Sequence, residues 1–203
     1  VEGAAPVEPN DIVAGRTLHA DADFYAYVCG YRWEDEPIEE SIRILQQYIQ
    51  TQRIMAGAEE IILYLTMGNK GGRYETATIQ EYQGKRESNP GLSERVNALR
   101  EWMSNCTDPH VSANVSLTQE ADDALTQAMH EAVRTHSEYL NPMWSKDKEL
   151  WMAPGLHMHH ETYELEDYTV GFGACGVSRS KSAAKCIGRG TSFFWHQLLM
   201  GDT

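Results

Sequence analysis

Apolar and polar positions along this chain follow two patterns. Some segments repeat apolar residues about every 3.6 positions, which predicts helices, and others are short continuous apolar runs, which predict buried strands. The clearest helix is predicted over 34–56, with Pro37 early in it, where its missing N–H costs little, and Gly57 at its end. Its apolar stripe at helical spacing is formed by Ile38, Ile42, Leu45, Ile49 and Met55.

Strands are predicted on either side of this helix. Residues 16–20 are expected to form a brief strand with Asp21 and Asp23 at its C-terminal end, and the apolar run 61–66 (IILYLT) is expected to form a buried strand. Strand, helix and strand in this order predict a right-handed parallel crossover. Ligands of open α/β sheets bind at the carboxyl edge of the strands, so the two acids are predicted to lie at a binding edge. The alternative is a turn with solvated acids.

The second half of the chain is less regular. An amphipathic helix is predicted over 92–103 and a short strand over 111–117, followed by a helix that Thr118 would cap. The run 138–144 is interrupted by Asn141-Pro142, which favours a short strand or an edge strand. The remaining expectations are a short helix from a Ser145 cap through Met152, a strand or hairpin over 163–175, a flexible basic loop over 177–190 and an apolar helix over 193–200.

Together these elements predict one α/β domain with a central, mostly parallel sheet flanked by helices. The chain of 203 residues is long enough for a real core, and the domain is expected over 16–203 after a flexible acidic tail over 1–15. No apolar run approaches the roughly 20 residues that span a bilayer, so no membrane partner is expected. The four cysteines show no paired spacing, which is typical of reduced thiols in a cytoplasmic protein.

The net charge of the chain narrows the classes of function that the sequence supports. The formal net charge of −13 argues against a simple nucleic-acid binder, which is usually basic. It is compatible with an enzyme whose acids hold metal and whose cations are concentrated. The cations are indeed clustered, in two stretches that contain Lys70, Arg73, Lys85 and Arg86, and then Arg179, Lys181, Lys185 and Arg189.

The acidic stretch Glu120-Ala121-Asp122-Asp123 places three carboxylates at the start of an apolar helical pattern. Carboxylates favour a helix N-terminus, so capping is one interpretation. Three crowded carboxylates repel one another, however, and a divalent cation with oxygen ligands removes that repulsion. Asp147 and Glu149 further along the chain leave the same choice, a helix cap or a second group of metal ligands.

The loop over 67–86 carries candidate contacts to nucleic acid. Arg73, Lys85 and Arg86 are suited to phosphates, and Tyr82 can stack on a base or sugar. The alternative is a solvated basic loop. The group His157, His159 and His160, with Cys175 and Cys186, raises the alternative of zinc, but its spacing matches no standard zinc pattern.

The order of these motifs resembles the bacteriophage and bacterial 5′→3′ exonucleases of the flap-endonuclease family, which share a PIN-like core. The resemblance runs over about 18–203. It is carried by five motifs, namely Asp21-Ala-Asp23, Arg73 with Tyr82-Gln-Gly-Lys85-Arg86, Glu120-Ala-Asp122-Asp123, Ser145-Lys-Asp147-Lys-Glu149-Leu150 and Gln197-Leu-Leu-Met-Gly201-Asp202.

The resemblance implies a nuclease that hydrolyses DNA at free 5′ ends, nicks or flaps with two Mg²⁺ or Mn²⁺ ions. The first ion would be held by Asp21, Glu120, Asp122 and Asp123, and the second by Asp147, Glu149 and Asp202, with Asp23 also at the catalytic centre. Arg73, Lys85 and Arg86 would hold the phosphate backbone and Tyr82 would stack on the terminal nucleotide.

This chain departs from the family pattern at several positions. Asn69 stands where the family has Asp, Gln83 where it has Lys, and Glu149 where a second Asp is usual. The family continues past Gly-Asp into a helix–hairpin–helix element that grips duplex DNA, so a separate chain supplying that region is one expected partner. Two other functions remain open, a PIN-type ribonuclease and a catalytically weak nucleic-acid-binding remnant.

Overall fold

The computed structural model describes residues 9–32, 35–68, 90–169, 171–179 and 184–200. Over these residues the chain forms one six-stranded sheet and a separate two-stranded hairpin. The strands of the sheet are β1 Val13–Asp21, β2 Ala58–Thr66, β3 Val111–Ser116, β4 Met143–Trp144, β5 Leu156–Met158 and β6 Leu165–Asp167. They lie in the order β3-β2-β1-β4-β5-β6, and every pair is parallel except the antiparallel pair β5 and β6.

Five α-helices are formed within the described part of the chain. They are α1 Ala22–Arg32, α2 Ile38–Met55, α3 Pro90–Ser104, α4 Ala121–Arg134 and α5 Gly190–Met200. Short 3-10 helices cover Glu138–Leu140 and Leu150–Met152, and the hairpin consists of β7 Ala174–Arg179 and β8 Ala184–Arg189. None of the described helices is long and apolar enough to cross a bilayer.

Alternation along the strands divides the sheet into two faces, because successive side chains point to opposite sides. On one face Leu18 and Ala20 of β1 pack in the larger core with residues of α1, α2 and α3. On the other face Tyr64 of β2 packs in a smaller core with Leu125 of α4. The α/β class and the mostly parallel sheet predicted from the sequence are therefore confirmed.

The predicted crossover is longer than the sequence pattern indicated, because α1 follows β1 without a break. The segment Ala22–Arg32 (ADFYAYVCGYR) is apolar around most of its circumference and shows no amphipathic stripe, so periodicity did not reveal it. Its Gly30 lets α3 approach closely, since a Cβ there would lie 3.1 Å from Val96 Cγ2. The helix predicted over 34–56 begins at Ile38, with Pro37 as its N-cap residue.

The structure corrects one predicted boundary and decides between the two alternatives for β4. The tail expected over 1–15 is too long, since β1 begins at Val13 and pairs with Ala58. β4 is short, as predicted, but it is not an edge strand, because it lies between β1 and β5. Pro142 precedes the strand and contributes its carbonyl, which accepts the N–H of His19 at 2.8 Å, so its missing donor costs the sheet nothing.

The flexible loop predicted over 177–190 is also wrong. Most of it belongs to the β7–β8 hairpin, whose register pairs Val177 with Cys186 and Cys175 with Gly188. Gly188 permits this arrangement, because a Cβ at that position would lie 2.7 Å from Phe193 Cδ2 of α5. Gly188, one of the glycines that indicated a loop, therefore serves close packing of the hairpin against a helix.

Candidate active site at the carboxyl edge of the sheet

Four parallel strands end in polar residues at one edge of the sheet. β1 ends at Asp21, β2 at Thr66 and β3 at Ser116, and Ser145 directly follows β4. All four residues are buried, with 4–7% of their surface exposed. Because parallel strands share one direction, these side chains meet at the same end of the sheet, as the sequence predicted for Asp21.

Asp21 is held by two hydrogen bonds. Its Oδ2 accepts the hydroxyl of Ser145 at 3.0 Å, and its Oδ1 accepts the N–H of Phe24 at 3.3 Å. Burial raises the pKa of Asp21, and the negative charges of Asp23 and Asp147 raise it as well, while the hydrogen bonds from Phe24 and Ser145 lower it; the resulting pKa is about 6. The carboxylate is thus fixed in position but poorly solvated.

The start of α4 is attached directly to this edge. Glu120 is the N-cap residue and makes no capping hydrogen bond with its side chain, while the N–H of Ala121 donates to Thr66 Oγ1 at 2.9 Å. The cap predicted at Thr118 is therefore wrong, because the hydroxyl comes from a neighbouring strand and not from the preceding turn. This contact places the first turn of α4, with Asp122 and Asp123, beside the end of β2.

Asp122 is the most perturbed acid of the edge. Burial raises its pKa most, and repulsion from four other acids raises it further, so that the pKa is about 8. These acids are Asp21, Asp147, Glu120 and Asp23. Repulsion of this kind requires that the carboxylates lie near one another, because it falls with distance. The structure therefore brings together five of the acids predicted from the sequence, from three separate segments of the chain, namely Asp21, Asp23, Glu120, Asp122 and Asp147.

Asp23 is paired with a cation. Arg100 of α3 donates through Nε to Asp23 Oδ1 at 2.8 Å, and the N–H of Thr66 donates to both carboxylate oxygens at 3.3 and 3.2 Å. Asp23 thereby links α1, α3 and β2. Sequence reasoning missed Arg100 and Thr66, and the available signal was that Thr66 is the polar residue that ends an apolar strand.

The loop after β4 carries the other two predicted ligands. Ser145 Oγ accepts the N–H of Asp147 at 3.0 Å, and Asp147 Oδ1 accepts the N–H of Glu149 at 2.9 Å. Ser145 therefore bridges Asp21 and this loop, and it is not the cap of a helix as the sequence predicted. The helical segment is the 3-10 turn Leu150–Met152, whose N-cap is Glu149. Both Asp147 and Glu149 are exposed.

The side chains at this edge are of the chemical type that binds a hard divalent cation. Every predicted ligand that the structure describes is a carboxylate, and the repulsion that raises the pKa of Asp122 is what a bound cation would offset. Within the described residues, however, no group of three or more His, Cys, Asp or Glu side chains is arranged to hold a metal ion. The acids share one edge without forming a closed coordination group.

The histidine and cysteine alternative is not supported within the same part of the chain. His157 Nε2 lies 2.9 Å from the carbonyl of Ala153, and Cys186 Sγ lies 3.6 Å from His196 Nε2. Burial lowers the pKa of His157 to about 4, so that it stays neutral. These contacts occupy the side chains in packing. Asp202 and the predicted DNA contacts Arg73, Tyr82, Lys85 and Arg86 lie outside the described residues.

Sequence comparison finds no relative of this chain. No family model matches it, and no curated protein matches it either. The three-dimensional structure, in contrast, matches solved structures that have the same α/β fold.

These structures come from bacteriophage T5. One is T5 5′-exonuclease with bound divalent metal ions (zinc), with a TM-score of 0.55, 16% sequence identity, and coverage of 75% of this chain and 58% of that chain. Another is the T5 flap endonuclease in a pseudo-enzyme-product complex with DNA and metal ions, with a TM-score of 0.50 and 15% identity over 75% of this chain and 57% of that chain. The chain spans a little more than half the length of these proteins and has the fold of their core, as the motif order predicted.

Proposed function

We propose that this protein is a divalent-metal-dependent nuclease that hydrolyses DNA phosphodiester bonds, as a 5′→3′ exonuclease or flap endonuclease with a two-metal mechanism. The observation that supports this most is Asp122, a partly buried carboxyl at the carboxyl edge of a parallel sheet, whose pKa is raised by repulsion from four further acids as well as by burial. The fold shared with T5 5′-exonuclease adds support, since that protein has been crystallised with divalent metal ions.

Each acid has a proposed role. Asp21, Glu120, Asp122 and Asp123 would hold one Mg²⁺ or Mn²⁺ ion, and Asp147, Glu149 and Asp202 a second. When bound, such ions make a nucleophile of water and offset charge on the attacking and leaving oxygens of a phosphodiester. Ser145 would position Asp21 through its hydrogen bond, and Arg100 would hold Asp23 in place beside the other carboxylates.

DNA is the proposed partner, with free 5′ ends, nicks or flaps as candidate structures. The acidic edge alone repels a phosphate backbone, so cations on the protein and bound metal have to offset that repulsion. Arg73, Lys85 and Arg86 are proposed to contact phosphates, and Tyr82 to stack on the frayed nucleotide. The flap-endonuclease complex of T5 was crystallised with DNA, which supports this assignment.

The test is cleavage of a 5′-flap duplex in Mg²⁺ or Mn²⁺ by wild type, Asp122→Asn and Glu131→Gln. The asparagine keeps the shape of the carboxyl but removes a metal ligand, so cleavage should fall by about a hundredfold or more. Glu131 lies on the same helix but is exposed and paired with Arg134, so Glu131→Gln should cleave normally.

Three outcomes would oppose the proposal. Equal cleavage by wild type and Asp122→Asn would remove the acidic edge from the reaction. Cleavage of single-stranded RNA in preference to flapped DNA would favour the PIN-type ribonuclease. Binding of DNA without cleavage by any variant would favour the catalytically weak remnant.

A further inference from the structure

A cavity of about 480 Å³ lies next to the acidic edge, between the end of the sheet and the β7–β8 hairpin. Among the described residues, the side chains that line it include several that can stack or form hydrogen bonds, namely Trp151, His159, His160, Glu166, Tyr168 and Arg189. Of these residues, none belongs to the carboxylate group at the strand ends. The cavity is large enough for one nucleoside but is not itself a charged cleft.

Flat rings form much of the wall. Trp151 and His160 are stacked with ring centroids 6.1 Å apart and an interplanar angle of 29°. Tyr168 lies against His157 with centroids 4.4 Å apart. Aromatic side chains that line a cavity favour a planar aromatic ligand, because stacking of the ligand on a ring buries both surfaces at little cost in side-chain entropy.

Polar groups are fixed around these rings. Glu166 accepts the hydroxyl of Tyr168 at 2.6 Å and Arg189 Nη1 at 3.1 Å, and the Arg189 guanidinium lies 5.0 Å from the Tyr168 ring centroid. His159 Nδ1 accepts the N–H groups of Glu161 and Thr162 at 3.3 and 3.2 Å, which places the proton of the neutral ring on Nε2. The cavity thus combines stacking faces with both donors and an acceptor, which is what the edge of a nucleobase requires.

The cavity is connected to the acidic edge by one residue. Trp151 Nε1 donates to the carbonyl of Ser145 at 3.3 Å, and Ser145 Oγ donates to Asp21. A nucleic acid with a phosphate at the edge would therefore have a neighbouring nucleotide within reach of Trp151. A free phosphate is a poorer occupant, because the one guanidinium lining the described part of the cavity is already paired with Glu166.

We propose that this cavity binds one unpaired nucleobase of the nucleic acid that is held at the acidic edge. The proposal rests on the proposed function for its macromolecular partner, although binding of a nucleoside by the cavity does not depend on cleavage. A stacked base held by Trp151 would fix which phosphodiester bond lies at the carboxylates. The cavity would then determine where the strand is cut.

The first experiment measures binding of 5′-flap DNA in EDTA, with an abasic site moved through each position of the flap and of the adjoining duplex. One abasic position should weaken binding by wild type about tenfold, in line with the energy of stacking one base. Trp151→Leu should remove this dependence on position, whereas Trp195→Leu, an exposed tryptophan of α5 outside the cavity, should retain it. Tight binding with equal affinity at all positions would overturn the proposal.

The second experiment keeps the result separate from nuclease activity. Adenosine is titrated into the full chain and followed by NMR of the histidine ring protons. Shifts of His159 and His160 that disappear in Trp151→Leu are expected, also from a protein that cleaves nothing. Absence of these shifts in wild type at millimolar adenosine would overturn the proposal even if flap DNA were cleaved. Arg189→Gln gives a second variant, expected to weaken adenosine binding without removing a ring.

Discussion

Asp122 shows how a single residue is defined by its surroundings. The same side chain on an exposed helix would be an ordinary first-turn carboxylate. Here burial and four neighbouring acids raise its pKa to about 8, so in the absence of metal it carries a proton at neutral pH. A cation at this position would have to displace that proton, and metal uptake would be coupled to pH.

This coupling predicts a pH dependence of stability. The pKa of Asp122 in the folded protein is about 8, above its ordinary value of 3.8. The metal-free protein should therefore lose stability as pH rises from about 4 through about 8, because the folded state has to give up a proton that it binds more tightly. In EDTA, the stability of Asp122→Asn relative to wild type should therefore increase steadily from pH 5 to pH 8.5.

Urea unfolding at a series of pH values measures this difference. Glu131→Gln provides the control, since it is exposed on the same helix. Curves of wild type and Asp122→Asn that stay parallel from pH 5 to pH 8.5 would contradict the assignment. Mg²⁺ added at pH 8.5 should stabilise wild type more than the asparagine variant.

Ser145 is the second residue with a separable effect. Ser145→Ala removes the hydroxyl that donates to Asp21 and accepts from Asp147, while the backbone of β4 is unchanged. We expect cleavage to fall about tenfold, since a hydrogen bond to a charged group contributes about 1.5–3 kcal/mol. Steady-state cleavage against Mg²⁺ concentration measures the effect, and Ser104→Ala on α3 is the exposed control. An unchanged rate would show that Asp21 needs no positioning.

At the scale of elements, the sequence predicted the helices with an apolar stripe and the strands that form a buried run. α2 and α4 carry an apolar stripe, and β1 and β2 are buried runs, so local pattern was sufficient for them. α1 has no stripe, and β7–β8 is rich in small residues, so no local pattern distinguished them.

The same limit applies to the site. Acids at strand ends and helix starts were predictable from position along the chain. The contacts that hold them were not, because Ser145 and Asp21 are 124 residues apart and Arg100 and Asp23 are 77 residues apart. Such pairs are determined by the topology of the sheet, which brings β4 beside β1, and periodicity carries no information about that neighbour relation.

Arg16 of β1 provides a prediction at this scale. It is 2% exposed, donates to the carbonyls of Ala56 and Tyr139 at 3.0 and 3.2 Å, and lies 4.5 Å from the Tyr139 ring. Arg16→Gln should lower the free energy of unfolding by about 2–4 kcal/mol, because the carbonyls of Ala56 and Tyr139 lose a charged donor, the first of them in a buried hydrogen bond. Urea unfolding checks this. Arg43→Gln, whose guanidinium is exposed on α2, should unfold like wild type.

At the scale of the whole molecule, charge and fold have to be considered together. The formal net charge is −13, and several of the acids are concentrated at one edge of the sheet. The fold is shared with T5 5′-exonuclease at 16% identity, which indicates that burial pattern and topology determine it more than residue identity does. Affinity for DNA would then depend on a few cations acting against an unfavourable overall field.

Arg86 tests that dependence. If it contacts a phosphate, Arg86→Ala should weaken binding of flap DNA and reduce the slope of log affinity against log salt by about 1. Binding measured in Ca²⁺ or EDTA at several salt concentrations gives the slope. Arg43→Ala is the matched control. A slope equal to that of wild type would remove Arg86 from the phosphate contacts.

Thr66 connects the fold to the site in one further respect. Its N–H binds Asp23, its hydroxyl accepts the N–H that begins α4, and its strand is paired with β3 through Ser116. A slip of β2 by one residue would turn this hydroxyl to the opposite face of the sheet and release Asp23 and α4 together. Correct strand pairing and assembly of the acidic edge are therefore a single event during folding, and a misregistered molecule would lack the site altogether.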